Sequence, residues 1–155
     1  DSLLAADGSG AELLTIPAGG TEIPADPDTV GGDGHFIHMS SGQTVYKRAV
    51  QGMTDACRRV LASSGFGPDD VAMLVPHQAN ARIMGTVAGN LGIPEERCAL
   101  YVAEVGNTSA ASIPIALDMA WREGRLHPGD LVLLTSFGAG LAWGANLVRW
   151  TAEAP

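Results

Sequence analysis

Apolar residues recur along this chain with two periods, and each period assigns elements. Tyr46, Val50, Met53, Cys57 and Leu61 fall three and four apart, which places them on one helix face and predicts an amphipathic helix over 43–63. Gly65 and Gly67, with Pro68 beyond, end it. The short apolar run 71–75 lies between Asp69-Asp70 and Pro76 and reads as a buried strand. A helix over 80–91 follows, stopped by Gly92. Gly85 and Gly89 weaken it by up to about 1 kcal/mol each relative to Ala and are expected to mark close packing against another element. Residues 99–103 read as the next strand and 110–123 as the next helix, with Ile113, Leu117, Ala120 and Trp121 on one face. Pro114 falls in that helix's first turn, where a missing N–H is tolerated, and Gly124 and Pro128 close it. Residues 131–135 form a strongly apolar strand, Phe137-Gly138-Ala139-Gly140 a tight turn, and 141–150 the last strand.

Upstream the pattern is weaker. Leu3-Leu4 and 11–16 read as short strands about the turn Asp7-Gly8-Ser9-Gly10. Residues 17–34, rich in Pro, Gly, Asp and Thr with no period, read as a surface loop, and 36–39 as a strand. The order of elements implies an α/β fold: a mostly parallel mixed sheet covered by helices, with an antiparallel end. Residues 1–34 are a lead-in of strands and loop, and 35–155 carry the core.

Composition fits this architecture. Hydrophobic residues make up 46% and aromatics 5% of the 155 residues, so the core is built mainly from aliphatic side chains, as a covered sheet requires. Nine basic against 17 acidic residues give a net charge of -8, which argues against nucleic acid as a partner. No apolar run reaches membrane-spanning length and no signal peptide is evident, so a cytoplasmic location is expected, with Cys57 and Cys98 reduced.

The candidate chemistry lies where short apolar runs meet helices. Val75-Pro76-His77-Gln78-Ala79-Asn80 and Gly106-Asn107-Thr108-Ser109-Ala110-Ala111-Ser112 each deliver a hydrogen-bonding side chain at such a turn. His77 and Asn107 can therefore converge at the carboxyl edge of the sheet on one small ligand atom, as an oxyanion-type site. His35, His38 and Asp33 lack a further ligand, so no metal is expected. Phe137-Gly138-Ala139-Gly140 is followed by a strand, and a pyrophosphate would lack the helix N-terminus it needs there.

The run His77 to Ile83, the run Gly106 to Ser112, Leu131-Val132-Leu133-Leu134, and Phe137-Gly138-Ala139-Gly140 with Trp143-Gly144 together resemble the C-terminal half of the β-ketoacyl-acyl carrier protein synthase III family, thiolase-fold condensing enzymes. The resemblance implies decarboxylative condensation of an acyl-coenzyme A starter with a malonyl thioester in fatty acid or polyketide biosynthesis. It gives His77 and Asn107 the role of donors to the malonyl thioester oxygen, and the Ala139 amide that of a donor to the acyl thioester oxygen. Gln43, Lys47, Asn80 and Arg82 fall where the family contacts coenzyme A or the carrier. Coenzyme A thioesters enter as substrates, no cofactor is implied, and the partners are an N-terminal half, a second subunit in a homodimer, and malonyl-acyl carrier protein.

Two positions depart from the family's pattern. Gly89-Asn90 stand where many members carry basic residues, which weakens attraction to an acidic carrier, and Val105 stands where many fatty-acid members have His or Tyr. The family's nucleophilic cysteine belongs to the first half. Cys57, on the apolar stripe, reads as a core residue, and Cys98 has no helix N-terminus to acidify it. Two alternatives stand beside condensation: acyl transfer alone, and a non-catalytic thiolase-fold partner subunit.

Overall fold

The hydroxyl of Ser41 accepts the Thr44 amide, and Gly65 takes a left-handed φ of 74°, fixing the two ends of the longest helix, Gly42–Ser64. The computed structural model describes residues 1–153, so the last two residues of the predicted 35–155 span lie outside the description. In chain order its regular elements are β1 (Ser2–Ala6), β2 (Leu14–Thr15), α1 (Pro27–Val30), β3 (His38–Met39), α2 (Gly42–Ser64), β4 (Val71–Pro76), α3 (Ala81–Leu91), α4 (Val102–Val105), α5 (Ser112–Arg122), β5 (Leu131–Gly138) and β6 (Ala142–Arg149).

Four strands form one mixed sheet in the order β1-β6-β5-β4, and β2 pairs with β3 in a separate ribbon. Helices α2 and α3 cover one face of the sheet through Met53, Cys57, Val60, Leu74, Val87 and Leu133. The other face is covered by α5, whose Ala116 and Ala120 pack on Met73, Val75 and Val132. Leu74 and Leu133 are fully buried, each contributing about 1.5–3 kcal/mol of transfer free energy. Among the described residues no helix is long and apolar enough to cross a membrane.

The mixed α/β sheet follows the expectation, but its balance does not. One ladder, β4 with β5, is parallel, while β5 with β6 and β1 with β6 are antiparallel. The parallel share is smaller because the strand predicted at 99–103 does not form. A single bridge forms just before it, Leu74 to Cys98, and the chain then turns into α4. The cause is Pro76. In a parallel ladder the Ala99 amide donates to the Leu74 carbonyl, as it does at 2.8 Å, and the Ala99 carbonyl then needs the amide of residue 76. Proline has none, and the ladder stops.

Other departures are local. The strand predicted at 11–16 shrinks to Leu14–Thr15, because the Asp7 carboxylate accepts the Ser9 amide and winds Gly8–Leu13 into 3-10 turns. The loop predicted over 17–34 contains α1, started by Asp26 and Thr29, which cap each other's amides. The strand predicted at 36–39 keeps only His38–Met39. Strand β1 pairs with β6 along its whole length, so the lead-in shares the sheet of the core strands. Gly85 and Gly89 are exposed, and a Cβ at either would meet nothing within 4 Å. They do not mark close packing within this chain.

Gly144 is the glycine that close packing requires. A Cβ there would lie 2.7 Å from the Leu3 carbonyl oxygen, between β6 and β1. Gly144→Ala is expected to destabilise the fold by about 1–3 kcal/mol, while Gly85→Ala stabilises it by up to about 1 kcal/mol. Paired urea titrations of the two variants check both signs.

Candidate active site

His77 leaves the end of β4 with its amide donating to the Thr135 carbonyl at 2.8 Å, so the parallel ladder with β5 continues one residue past the strand. The ring is half-buried, and its Nδ1 lies 2.6 Å from the Ser112 hydroxyl at the start of α5. This leaves Nε2 as the ring atom free for a ligand. Burial holds the imidazole below its ordinary pKa of 6.5, so the ring is neutral at neutral pH.

Gln78 supplies what Pro76 lacks. Its side-chain amide is fully buried, and Nε2 donates to the Ala99 carbonyl at 2.9 Å and to the Pro76 carbonyl at 2.8 Å. Oε1 accepts the Tyr101 amide at 2.8 Å. One side chain thus replaces the missing rung of the ladder and turns the chain at Tyr101. That turn is held further by Arg125, whose guanidinium donates to the Tyr101 hydroxyl and to the carbonyls of Glu96 and Cys98.

Asn107 follows α4 across Gly106, whose φ of 68° suits glycine. Its Oδ1 accepts the Ser109 amide at 3.0 Å, which leaves Nδ2 as its donor. Ser109 itself sits at φ 54°, the one non-glycine residue with positive φ among those described. His77, Asn107 and Ala139 line a single cleft of about 690 Å³, whose remaining wall is mostly apolar and includes Met39, Val45 and Ile83. His77 also lines a second cleft of about 830 Å³ on the other side, with Ser112, Phe137 and Ala142. The Ala139 turn is gripped from behind: Asp7 and Leu141 exchange backbone hydrogen bonds, and Leu141 is fully buried against Gly10.

The three core predictions, His77, Asn107 and the Ala139 backbone, are therefore brought together. The four expected to contact coenzyme A or carrier are spread over a neighbouring surface. Gln43 is exposed on the first turn of α2. Lys47 lines a separate groove of about 630 Å³ with Tyr46, Arg58 and Asn90. Arg82 lies 5.0 Å above the Tyr46 ring, and the Tyr46 hydroxyl is 2.8 Å from that of Thr86. Asn80 caps α3, its Oδ1 accepting the Arg82 amide at 2.9 Å, so its side chain is committed to holding the helix.

Neither cysteine is a nucleophile as it stands. Burial pushes both the Cys57 and the Cys98 thiol up to about 12. His35 and His38 turn to different partners, Thr29 and the Asp33 carbonyl, and among the described residues no three His, Cys, Asp or Glu side chains gather as a metal site would require.

Ser112 and Gln78 lie within the two motifs, but the sequence pattern assigns neither a role. A signal for Gln78 existed in the sequence: a proline ending a strand leaves a neighbouring carbonyl without its donor, and a nearby amide side chain can fill the gap. Ser112 offered no such signal, because its contact with His77 spans 35 positions.

A sheet of this order with helices on both faces and its site at the strand ends defines the class, a thiolase-like α/β unit. The family model described as 3-oxoacyl-[acyl-carrier-protein] synthase III C terminal matches residues 61–150. The chain belongs to the 3-oxoacyl-[acyl-carrier-protein] synthase III family. It is 46% identical over 149 residues to the β-ketoacyl-[acyl-carrier-protein] synthase III of Symbiobacterium thermophilum, covering 96% of this chain and 45% of that protein. The crystal structure of the synthase III of Pseudomonas aeruginosa superposes with a TM-score of 0.89 at 42% identity, over 100% of this chain and 46% of that one. The priming β-ketosynthase of a polyketide biosynthetic pathway does so with a TM-score of 0.84 at 30% identity, over 99% and 45%. The chain thus spans about 45% of the length of the curated relative it matches.

Two outcomes follow from the geometry. Gln78→Leu strands the Tyr101 amide and the Ala99 carbonyl and is expected to cost about 3 kcal/mol; adding Pro76→Ala returns a backbone donor and recovers part of that loss in the urea midpoint. His77 is expected to titrate below 6.5 by NMR. Between that lowered midpoint and 6.5 the unfolded chain holds the extra proton, so folding weakens as pH falls through this window and the penalty is absent above it.

Proposed function

We propose that this chain is the second-step half of a condensing enzyme that joins an acyl thioester to a malonyl thioester with loss of carbon dioxide. The observation that carries this reading is the convergence of two neutral side-chain donors, His77 and Asn107, on one cleft. As the malonyl carboxylate leaves, its bonding pair moves to the α-carbon and charge develops on the thioester oxygen. Nε2–H of His77 and Nδ2–H of Asn107 receive that charge, and a donor placed where charge appears only in the transition state is worth about 3–4 kcal/mol. The carbanion then attacks the acyl carbonyl, whose oxygen takes the Ala139 amide, and the thiolate departs. Asparagine cannot accept a proton, so Asn107 suits enolate stabilisation better than the base that plain acyl transfer needs. A non-catalytic partner would need neither side chain.

The acyl group is carried by a cysteine on the nucleophile-bearing N-terminal half, since both thiols of this chain are buried and un-ionised. That half docks against the open part of the sheet beside His77, where Leu4 of β1 is 85% exposed. The working unit is a cytoplasmic homodimer of two-half subunits, serving fatty acid or polyketide synthesis. The thioesters arrive on coenzyme A and on an acidic carrier. In a chain of net charge -8, five of the nine basic residues, Lys47, Arg48, Arg58, Arg59 and Arg82, lie on α2 and the start of α3. Arg58 reaches the Asn90 carbonyl at 2.7 Å, so a cation stands beside Gly89-Asn90, where the sequence itself has none.

The test is release of carbon dioxide from a malonyl thioester by the two halves together. His77→Ala is expected to lower it by about 10²–10³-fold while fold and oligomer persist, and Asn107→Asp to lower condensation more than acyl transfer. Undiminished decarboxylation in His77→Ala would refute the catalytic reading. Mass spectrometry after incubation with an acyl-coenzyme A locates the acyl adduct, expected on the N-terminal half and absent from this 16.0 kDa chain.

A further inference from the structure

His77 can donate from Nε2 only as one of its two neutral tautomers, and the structure holds a side chain placed to choose between them. The Ser112 hydroxyl lies 2.6 Å from Nδ1. Ser112 is 1% exposed, and among the described residues this ring nitrogen is the one hydrogen-bond partner of its hydroxyl. Two arrangements fit that distance. In the first, Nδ1–H donates to the hydroxyl oxygen, and the buried hydroxyl proton is left with no acceptor. In the second, the hydroxyl donates to a bare Nδ1, and every buried polar atom of the pair is matched.

We infer that Ser112 is the positioning residue that fixes His77 as its Nε2–H tautomer, by donating its hydroxyl proton to Nδ1. This rests on the proposed donor role of Nε2 for its catalytic consequence, though not for its structural content. Three further features favour it. The His77 amide and carbonyl are occupied by Thr135 and Ala79, so no backbone group competes for the ring. Ser112 is the first residue of the eleven-residue α5, and its own amide is bonded to the Ser109 carbonyl, which holds the hydroxyl in place. The two clefts that His77 lines contain no carboxylate among their lining residues, so no anion there competes with the hydroxyl by drawing the proton to Nδ1.

The experiment is a long-range proton–nitrogen correlation spectrum of the two-half protein carrying [15N]histidine at neutral pH, with His77 identified among all histidines, four of them in this chain, by its absence in His77→Gln. The expected result is a pyridine-like Nδ1 and a pyrrole-like Nε2. The reverse pattern in the unmodified protein overturns the inference without any variant having to fold. In Ser112→Ala the two nitrogen resonances are expected to move towards one another as the tautomers mix, and Ser112→Thr to restore the original pattern. An unchanged spectrum in Ser112→Ala also overturns it. Decarboxylation is read separately, and about a tenfold loss in Ser112→Ala, equal to about 1.4 kcal/mol, is expected. A changed tautomer with unchanged decarboxylation upholds Ser112 as the tautomer-setting residue and removes Nε2–H from the reaction, so the two readings fail in different ways.

Discussion

The site depends on a hydrogen bond that the backbone cannot make. Strand β4 lies at the edge of the sheet and ends in Pro76, and the missing N–H leaves the Ala99 carbonyl without its rung. Were that rung present, residues 99–103 could pair with β4 as a further parallel strand, and Asn107 would be carried along the strand direction, away from His77. The buried Gln78 amide fills the gap with three hydrogen bonds, each of them made by a group that would be costly to leave unpaired. The chain is forced to turn at Tyr101, and the turn brings Gly106 and Asn107 back over the strand end.

The electrostatic character of the site follows from what is kept out of it. No Asp, Glu, Lys or Arg lines either cleft at His77, and burial keeps the imidazole itself neutral. Five of the nine basic residues lie instead on α2 and the start of α3. For the decarboxylation proposed above, a fixed cation at the site would bind the carboxylate of the ground state as readily as the charge that forms later. Neutral donors favour the form in which charge has moved to the thioester oxygen, which is the difference that lowers a barrier. Burial likewise raises the two cysteine thiols to about 12, so neither is a ready nucleophile.

Where local pattern and tertiary packing agreed, the sequence was legible. The three-and-four spacing of Met53, Cys57 and Leu61 put them in the core as predicted, and the turn after β4 delivered His77 where the apolar run ended. The helix started by Asn80 and the motif around Asn107 were equally readable, because their signals lie within a few residues. The run 99–103 misled for the opposite reason. Its apolar residues suit a strand, and Ala99 and Tyr101 are buried as a strand's would be, yet pairing was decided by a proline 23 positions earlier. Gly85 and Gly89 misled because a glycine in a helix has no local mark that separates close packing from an open surface. Ser112 was hidden because it falls within the helix predicted over 110–123, while its partner His77 lies 35 positions away at a strand end.

Asn107 has few ties of its own. It is exposed, and its side chain bonds one backbone amide two residues away, too little to hold a donor within the fraction of an ångström that transition-state recognition demands. Its precision comes from the ends of its segment. At the entrance Gln78 holds Tyr101, and at the exit Ser112 holds His77. Both anchors lead to adjacent residues, Gln78 and His77, so the chain from 101 to 112 is a loop closed on one point of the fold, with the asparagine near its middle and the histidine at its base. His77 and Asn107 are thus tied into a single hydrogen-bonded ring of residues, although their motifs are separated along the chain.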